Sequence, residues 1–521
     1  MNSLESEYLK LETERHTILE RARDSARLTL PTLIPDEGDS KHTKFITPYQ
    51  SVGARGVNNL ASSLLLSLLP PNEPFARLLI DDKAKREVEG IEDVKSEVEI
   101  ALADMERAIM REIESNSFRV GLFEALKHLI VGGNILIHIP SEGGMRVFHL
   151  SSYVIQRDPM GNVDRIITKE TISINHVSEE VREAIGELTK DSKDTVDLYT
   201  CVQTLPNDQV EVHQEINGNV VKGSEGTYKA DESPYIALRL NRVDGEDYGR
   251  GYVEEYIGAL ESLEGLTQSI VEGSAASAKV LYLVAPNGTT RASTLANAPN
   301  GAIREGNATD VSTLQVQKGA DFRVALEAIT QIRETLNFAF MLTEGAIRQA
   351  ERVTAEEVRL VTQSLEKQLG GIYSVLSQEF QLPLVKILMR RMQKANKLPK
   401  LPKGFVTPVI VTGVDALGRG QDLNKLDSFV AGISQVLGPE ALSQHVNVSE
   451  YLSRRASALG IDTKGLVKSE EELQAEMQAA QQQQQQQQQM QMMQTLGPEA
   501  IKSATSMNNT QANNNAQQGG A

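Results

Sequence analysis

Apolar residues recur at Val358, Val361, Leu365, Leu369, Ile372 and Leu376, the three- and four-residue steps of one buried helical face. Thr354 stands where it can cap that helix, and Glu357 three residues on completes a capping box. The spacing predicts about forty helical residues up to Lys397, roughly 60 Å of helix. Gly370-Gly371 weakens the middle, and Pro383 should kink it by removing a backbone donor. Such a length exceeds the needs of a compact domain and suits a helix crossing between layers of a large assembly.

The same stepping occurs twice upstream. Val253, Tyr256, Leu260, Leu263, Thr267, Ile270 and Ser274 form one heptad-type seam, and Phe322, Ala325, Ile329, Ile332, Leu336 and Ala339 form another. Between them, KVLYLVAP and VSTLQVQKG read as strands around a polar loop. Two seam helices flanking a small β module predict a hairpin-like arm with an exposed tip. Gly258, Gly265 and Gly273 disfavour a helix interior and make sense where neighbouring helices approach closely.

Earlier in the chain, residues 4–28 predict an amphipathic helix with Leu4, Tyr8, Leu11, Ile18 and Ala22 on one side, ended by Pro31 and Pro35. Thr47-Pro48 predicts the start of a second helix, ending at Pro70-Pro71. Residues 83–115 read as a third, charge-laced helix, and Asn116-Ser117 as the cap of a fourth running to Ile130. The texture changes at Gly132-Gly133. NILIHI, MRVFHL, VDRIIT, VDLYTCVQTL, QVEVHQEI and YIALRL then predict an antiparallel meander with a helical insertion near 178–188. GFVTPVIVTG reads as a later strand and residues 421–460 as helical. The fold class expected is α+β and helix-rich.

Composition narrows the function. The chain has 521 residues, 40% hydrophobic and 24% charged, with 4% aromatics and no Trp, as in helix-rich globular proteins. A formal net charge of −17 argues against tight phosphate neutralisation, and so against a repressor or polymerase. It does not exclude a pore through which DNA slides. Cys201 is the only cysteine, which excludes disulfide frameworks within one chain, and it reads as a half-buried strand residue. The N-terminus is charged throughout, without the pattern of a signal peptide. The longest apolar run, Leu60 to Leu69, includes three serines and is too short to span a bilayer, so no membrane partner is expected.

Candidate chemistry is sparse. His138 and His149 sit on neighbouring predicted strands, and a packed or surface role fits them better than a metal pair lacking a third ligand. DGEDYG, Asp244 to Gly249, lacks the distal Glu of a calcium loop and reads as a turn before a helix. In GVDALGRG, Arg419 and Gly420 stand where a phosphate loop needs Lys and Ser or Thr, so nucleotide binding is rejected there. Lys386, Arg390 and Lys394 share one helical face, either a solvated face or a contact with DNA or another acidic surface. No cofactor and no catalytic constellation is suggested, so an enzyme ranks third among the functions. Residues 469–494, with an unbroken Gln run from Gln481 to Gln489, can extend a helix, and the Asn/Gln-rich end is expected to be disordered.

RVTAEEV followed by LGGIYSVLSQEFQLPLV resembles the signature of portal proteins, the head-to-tail connectors of short-tailed double-stranded DNA phages, and the resemblance extends over most of the chain. It implies an α+β wing (1–249), a stem helix (250–279), a clip (280–320), a second stem helix (321–342), a channel loop (343–353) and a long kinked helix (354–397). A strand returning to the wing (398–420), a helical crown (421–504) and a disordered tail (505–521) would follow. It further implies a dodecamer at one capsid vertex, present in the virion and assembled in the host cytoplasm. Double-stranded DNA would pass through its channel. The partners implied are the terminase large subunit, major capsid and scaffolding proteins, the tail adaptor and internal core proteins. The channel loop would present Glu344, Arg348 and Arg352, although the helical spacing of the two arginines equally suits a capping or salt-bridge role. Arg291 and Arg304 of the clip are the candidate contacts for motor and tail. The alternative is another virion structural protein, such as a tail-tube or internal core component.

Overall fold

Helix α1 (Leu4–Arg27) forms where the periodicity predicts it, with the Ser3 side chain accepting the Ser6 N–H at its start. The second helix, α2 (Val52–Leu68), begins later than Pro48. The reason lies in Glu264, whose carboxylate accepts the N–H groups of Tyr49 at 2.8 Å and Gln50 at 3.0 Å and draws that segment away from the helix. Gln50 then accepts the Gly53 N–H at 2.9 Å, doing the capping. A strand unforeseen in the sequence, β1 (Ala76–Ile80), precedes α3 (Glu92–Ser115) and α4 (Phe118–Gly132). Ser117 does not cap α4 with its side chain; it adopts φ 55°, and Asn116 donates back to Glu112 instead.

The computed structural model describes residues 3–342 apart from 37, 40–41, 72–74, 81–91, 175–180, 182–194, 278–280 and 315–318, and then 365, 369, 371–399, 406–410, 427–435, 448, 451–452 and 455. The chain divides into two compact units, Met1–Ala416 and Leu417–Ala521. In the second, Asp427 accepts the Tyr451 hydroxyl at 2.6 Å and pairs with Arg455 at 3.3 Å. The expected channel loop, the first part of the long helix, the insertion near 178–188, GVDALGRG and the Gln-rich tail lie mostly or wholly outside the described residues.

The β region after Gly133 is not one meander. Strands β2 (Asn134–His138), β3 (Arg146–Phe148), β4 (Tyr153–Arg157), β5 (Val163–Ser173), β6 (Thr195–Leu205), β7 (Gln209–Ile216), β8 (Asn219–Val220), β9 (Gly226–Lys229) and β10 (Tyr235–Arg239) split into two antiparallel sheets. One has the order β10-β2-β3; the other runs β4-β5-β6-β7-β8, with β9 also paired to β7. The cause is visible in β2: Asn134, Ile135, Leu136 and Ile137 are all buried, so this strand is covered on both faces and takes its partner from the distant YIALR segment. Its apolar side chains join those of α2 and α4, including Leu60, Leu64, Leu126 and Leu129, in the main core. Across the larger sheet, Leu4, Tyr8 and Leu11 of α1 pack on Val154, Ile167, Tyr199 and Cys201. Cys201 is therefore fully rather than half buried, and burial raises its thiol pKa, which makes it a packing residue and not a nucleophile.

After β10 come α5 (Ile257–Ser277), preceded by a 3₁₀ turn at Val253–Tyr256, then β11 (Leu281–Val284), α6 (Ala292–Ala296), β12 (Val311–Leu314) and α7 (Gly319–Ala339). The described end of the long helix consists of α8 (Gly371–Leu376), a π turn (Ser377–Gln381) and α9 (Leu382–Lys394). Pro383 thus sits inside an unbroken helical run directly after the π turn, and the wider turn before it takes up the missing N–H and the ring. Finally β13 (Val406–Ile410) pairs antiparallel with β1, which places Pro408 in an edge strand.

Candidate functional site

The arm predicted from the two heptad seams is an antiparallel helix pair with a β tip. Its seam is buried at the base, where Val253, Leu260, Leu263, Leu336, Ala339 and Phe340 are all below a tenth exposed. Farther out, Phe322 packs against Gly273, whose hydrogen gives the ring its room: a Cβ there would lie 2.8 Å from it. Gly258 and Gly265 differ, since a Cβ at either would meet nothing within 4 Å. Those two glycines therefore do not serve helix contacts inside the subunit. Val271, Val324 and Leu326 are exposed on the same two helices.

The root of the arm is DYGRGY, Asp247 to Tyr252. Asp247 accepts the Arg157 N–H at 2.7 Å, and the Tyr248 hydroxyl accepts the Ile155 N–H at 3.1 Å. Asn134 bonds twice to the Gly249 backbone, each time at 2.7 Å. Gly133, at φ 73°, lies so close to the turn that a Cβ would stand 2.3 Å from the Arg250 carbonyl carbon; at Gly251 it would stand 2.3 Å from the Val131 oxygen. The segment is a structural junction before a helix, as the sequence suggests, and its glycines serve close backbone passage.

The other root is the end of α7. The Phe340 ring fills the space over Gly56 of α2, where a Cβ would come within 2.4 Å of it. Asn59 Nδ2 donates to the carbonyls of Phe340 and Met341, both at 3.1 Å, and Met341 adopts φ 56°. Tyr252 donates to the Ala339 carbonyl at 3.0 Å. None of Gly56, Asn59 or Glu264 stands out in the sequence; only their partners in the folded chain give them a role.

The acidic face of α5 is partly used internally. In the 3₁₀ turn before it Glu254 pairs with Arg21 at 3.4 Å and Glu255 accepts from Asn241 at 2.7 Å, and on α5 itself Glu264 holds the lead-in to α2. At the tip, Asp310 organises the loop by accepting the Thr290 N–H at 3.0 Å and the Thr289 hydroxyl at 3.1 Å, which hold its carboxyl below the usual range. Arg291 and Arg304 are both exposed on this module, beside Ile303 at 98% exposure.

The basic face of α9 is mostly neutralised. Lys386 pairs with Asp231 at 3.2 Å, and Arg390 pairs with Glu232 while lying over the Tyr228 ring. Lys394 remains exposed. On another side of α9, Arg391 and the following Lys397 both reach the buried Glu112 at 2.9 Å. Glu344, Arg348 and Arg352 lie outside the described residues.

The two histidines weighed as a metal pair go to separate partners. The ring of His138 stacks on Tyr235 at 4.4 Å and that of His149 lies 6.3 Å from His128. Burial lowers the pKa of all three, His138 to about 4 and His128 to about 3. Among the described residues, no three His, Cys, Asp or Glu side chains are grouped to hold a metal, and no helix is long and apolar enough to cross a membrane.

Comparison with known proteins agrees along the length of the chain. The family model described as bacteriophage head to tail connecting protein matches residues 1–467. The portal protein of Escherichia phage T7 is 44% identical over 483 residues, covering 91% of this chain and 89% of that one. Its counterpart from Enterobacteria phage T3 is 43% identical over 478 residues, 90% of this chain and 89% of that one. The portal protein of Enterobacteria phage SP6 is 32% identical over 473 residues, 90% of each chain. With a family match over residues 1–467 that covers both the α+β body and the helical arm rooted in it, the chain belongs to the family of bacteriophage head-to-tail connecting proteins.

Proposed function

We propose that the chain is a portal subunit, one copy of a ring at the junction of capsid and tail through which double-stranded DNA is packaged and ejected. The observation that carries this is the 44% identity to a portal protein over 91% of the chain. The arm supports it: Gly258 and Gly265 face open space and Val271, Val324 and Leu326 are exposed, as suits helices packing on the next copy in a ring. On this reading α5 and α7 are the stem, residues 280–320 the clip, and residues 343–353 a loop that brings Glu344, Arg348 and Arg352 towards the DNA. The ring is a dodecamer. The clip meets the terminase large subunit during packaging and the tail adaptor afterwards, while the wing and crown meet capsid, scaffolding and internal core proteins. Lys394 is the member of the α9 basic face available for such contacts.

Electron microscopy of the purified protein tests this. Rings with an opening of about 20 Å or more, the width of a duplex with its grooves, are expected in end-on views. Monomers or open filaments across several salt concentrations would instead favour a different virion structural protein.

Two substitutions sharpen the assignment. Gly265→Leu adds a strong helix former where the subunit has room, so the melting temperature of the isolated chain is expected to hold or rise, with a helix gain of up to about 1 kcal/mol. Rings should be lost from size-exclusion profiles and micrographs; intact rings would mean that this face looks onto solvent. Replacing Arg291 and Arg304 together with Ala is expected to leave rings intact and weaken terminase capture in a pull-down. Undiminished capture would remove the clip arginines from the docking surface.

A further inference from the structure

The guanidinium groups of Arg157, Arg239 and Arg242 converge on the hairpin turn between β4 and β5. Arg157 Nη1 and Arg239 Nη2 share the Gly161 carbonyl at 3.0 and 3.2 Å, and Arg242 Nη2 reaches the Met160 carbonyl at 3.3 Å. A Cβ on Gly161 would lie 2.5 Å from Arg239 Nη2 and 2.7 Å from Arg242 Nη2, so those two head groups flank one point. The remaining acceptors of Arg157 and Arg239 are backbone carbonyls. Arg157 donates to the carbonyls of Asp247 at 2.9 Å and Ala237 at 3.2 Å, and Arg239 to that of Glu246 at 2.7 Å. Arg239 is only 3% exposed, and its Nε is buried without an acceptor.

Carboxylates nearby are largely committed elsewhere. Asp247 accepts the Arg157 backbone N–H at 2.7 Å, and Glu246 pairs with Arg250 at 2.9 Å. That leaves Glu379, from the π turn, 3.5 Å from Arg242 Nη1. A charge-assisted bond at full strength is shorter, about 2.7–2.9 Å. The strain among like charges shows in Arg157, whose pKa burial and then Arg239 push down to about 10. Three forked cations lie near Glu379, which only Arg242 bonds and at a stretched distance, with Asp247 adding a further attraction on Arg239; such a cluster suits an oxygen-rich anion better than a single long carboxylate contact.

We propose that this corner is a binding site for a phosphate-type oxyanion, in which Glu379 is the displaceable group that occupies the seat when no anion is bound. Arg242 and Glu379 have side chains 45% and 33% exposed, so an anion reaches them from solvent.

Calorimetric titration of the full-length chain tests it, with inorganic phosphate in one arm and a short DNA duplex at equal phosphate concentration in the other. Ionic strength is held fixed, and chloride is the control. Glu379→Gln is expected to bind inorganic phosphate about tenfold more tightly than the unaltered chain, because the competing carboxylate is gone. Combining Arg242→Gln with Glu379→Gln should abolish that gain, and Arg242→Lys in the same background should retain part of it. Stronger heat from the duplex in Glu379→Gln would make nucleic acid the source of the anion, and binding confined to inorganic phosphate would make it a small ion. Equal binding by Glu379→Gln, the unaltered chain and Arg242→Gln, or equal heats from phosphate and chloride, would overturn the proposal. Melting curves of each variant confirm that the fold is retained.

Discussion

Replacing Gly133 with alanine is expected to lower the main thermal transition of the chain by about 2–6 °C. Two costs combine. The residue sits at φ 73°, where a side chain costs about 1–2 kcal/mol. The new Cβ would also stand 2.3 Å from the Arg250 carbonyl carbon and 2.5 Å from the Gly251 nitrogen. Neither is the far end of a movable side chain, so the two backbone segments must part, adding about 1–3 kcal/mol. Parting them also strains the paired Asn134–Gly249 hydrogen bonds. Differential scanning fluorimetry with far-UV circular dichroism reads the result, and Gly258→Ala, which meets nothing within 4 Å, serves as the contrast and should be neutral or stabilising. Equal melting of both variants would show that the junction is loose.

Glu112→Ala is expected to destabilise the body by about 3 kcal/mol or more, because it strands a nearly buried Arg391 without its carboxylate. The Glu112 and Arg391 side chains are 8% and 11% exposed, and Asn116 and Lys397 also bond to Glu112. Arg391 further clasps the Gly143 carbonyl at 2.6 Å, so the cluster ties α3, α9 and the β2–β3 loop together. The same contacts predict a pH dependence. The hydrogen bond from Lys397, outweighing burial, lowers the Glu112 pKa below its ordinary value. The unfolded chain then binds the proton more readily, so this contribution is fully present above the unfolded carboxylate pKa and is lost as pH falls through the folded one. Acid unfolding of the unaltered chain should therefore show a component that Glu112→Ala lacks. Parallel acid titrations of the two chains would remove the assignment.

What the sequence disclosed, and what it hid, follows from the range of the interactions. The seams of α5 and α7 were legible because helical packing repeats every three or four residues, and every predicted seam position from Phe322 to Ala339 faces inward or is buried. Cys201 was legible as a strand residue but not as a fully buried one, because its cover comes from α1, far away in the chain. The expected single meander fails for the same reason: alternation marks a strand without naming its partner, and β2 pairs with β10 although β3 to β9 lie between them in the chain. The helix start expected at Pro48 and the side-chain cap expected at Ser117 give way, in the first case where distant Glu264 binds the lead-in and in the second where Asn116 bonds its neighbour Glu112. The basic face of α9 looked free because Asp231 and Glu232 lie far upstream. Of the expected site residues, Arg291 and Arg304 are exposed on the β module at the end of the arm, while Glu344, Arg348 and Arg352 lie outside the described residues.

Helix α2 is gripped at two places by the arm: Glu264 of α5 holds its lead-in, and its own Asn59 holds the two residues that follow α7. A pull on the chain just beyond Leu342 would not pass along the α7 axis alone. Asn59 and the Phe340 ring seated over Gly56 would transfer much of it sideways into α2, whose apolar face lies deep in the main core. Tension arriving at that point is thus earthed in the body of the subunit rather than in the joint between the two arm helices, and in a pulling experiment the arm should outlast the grip of Asn59.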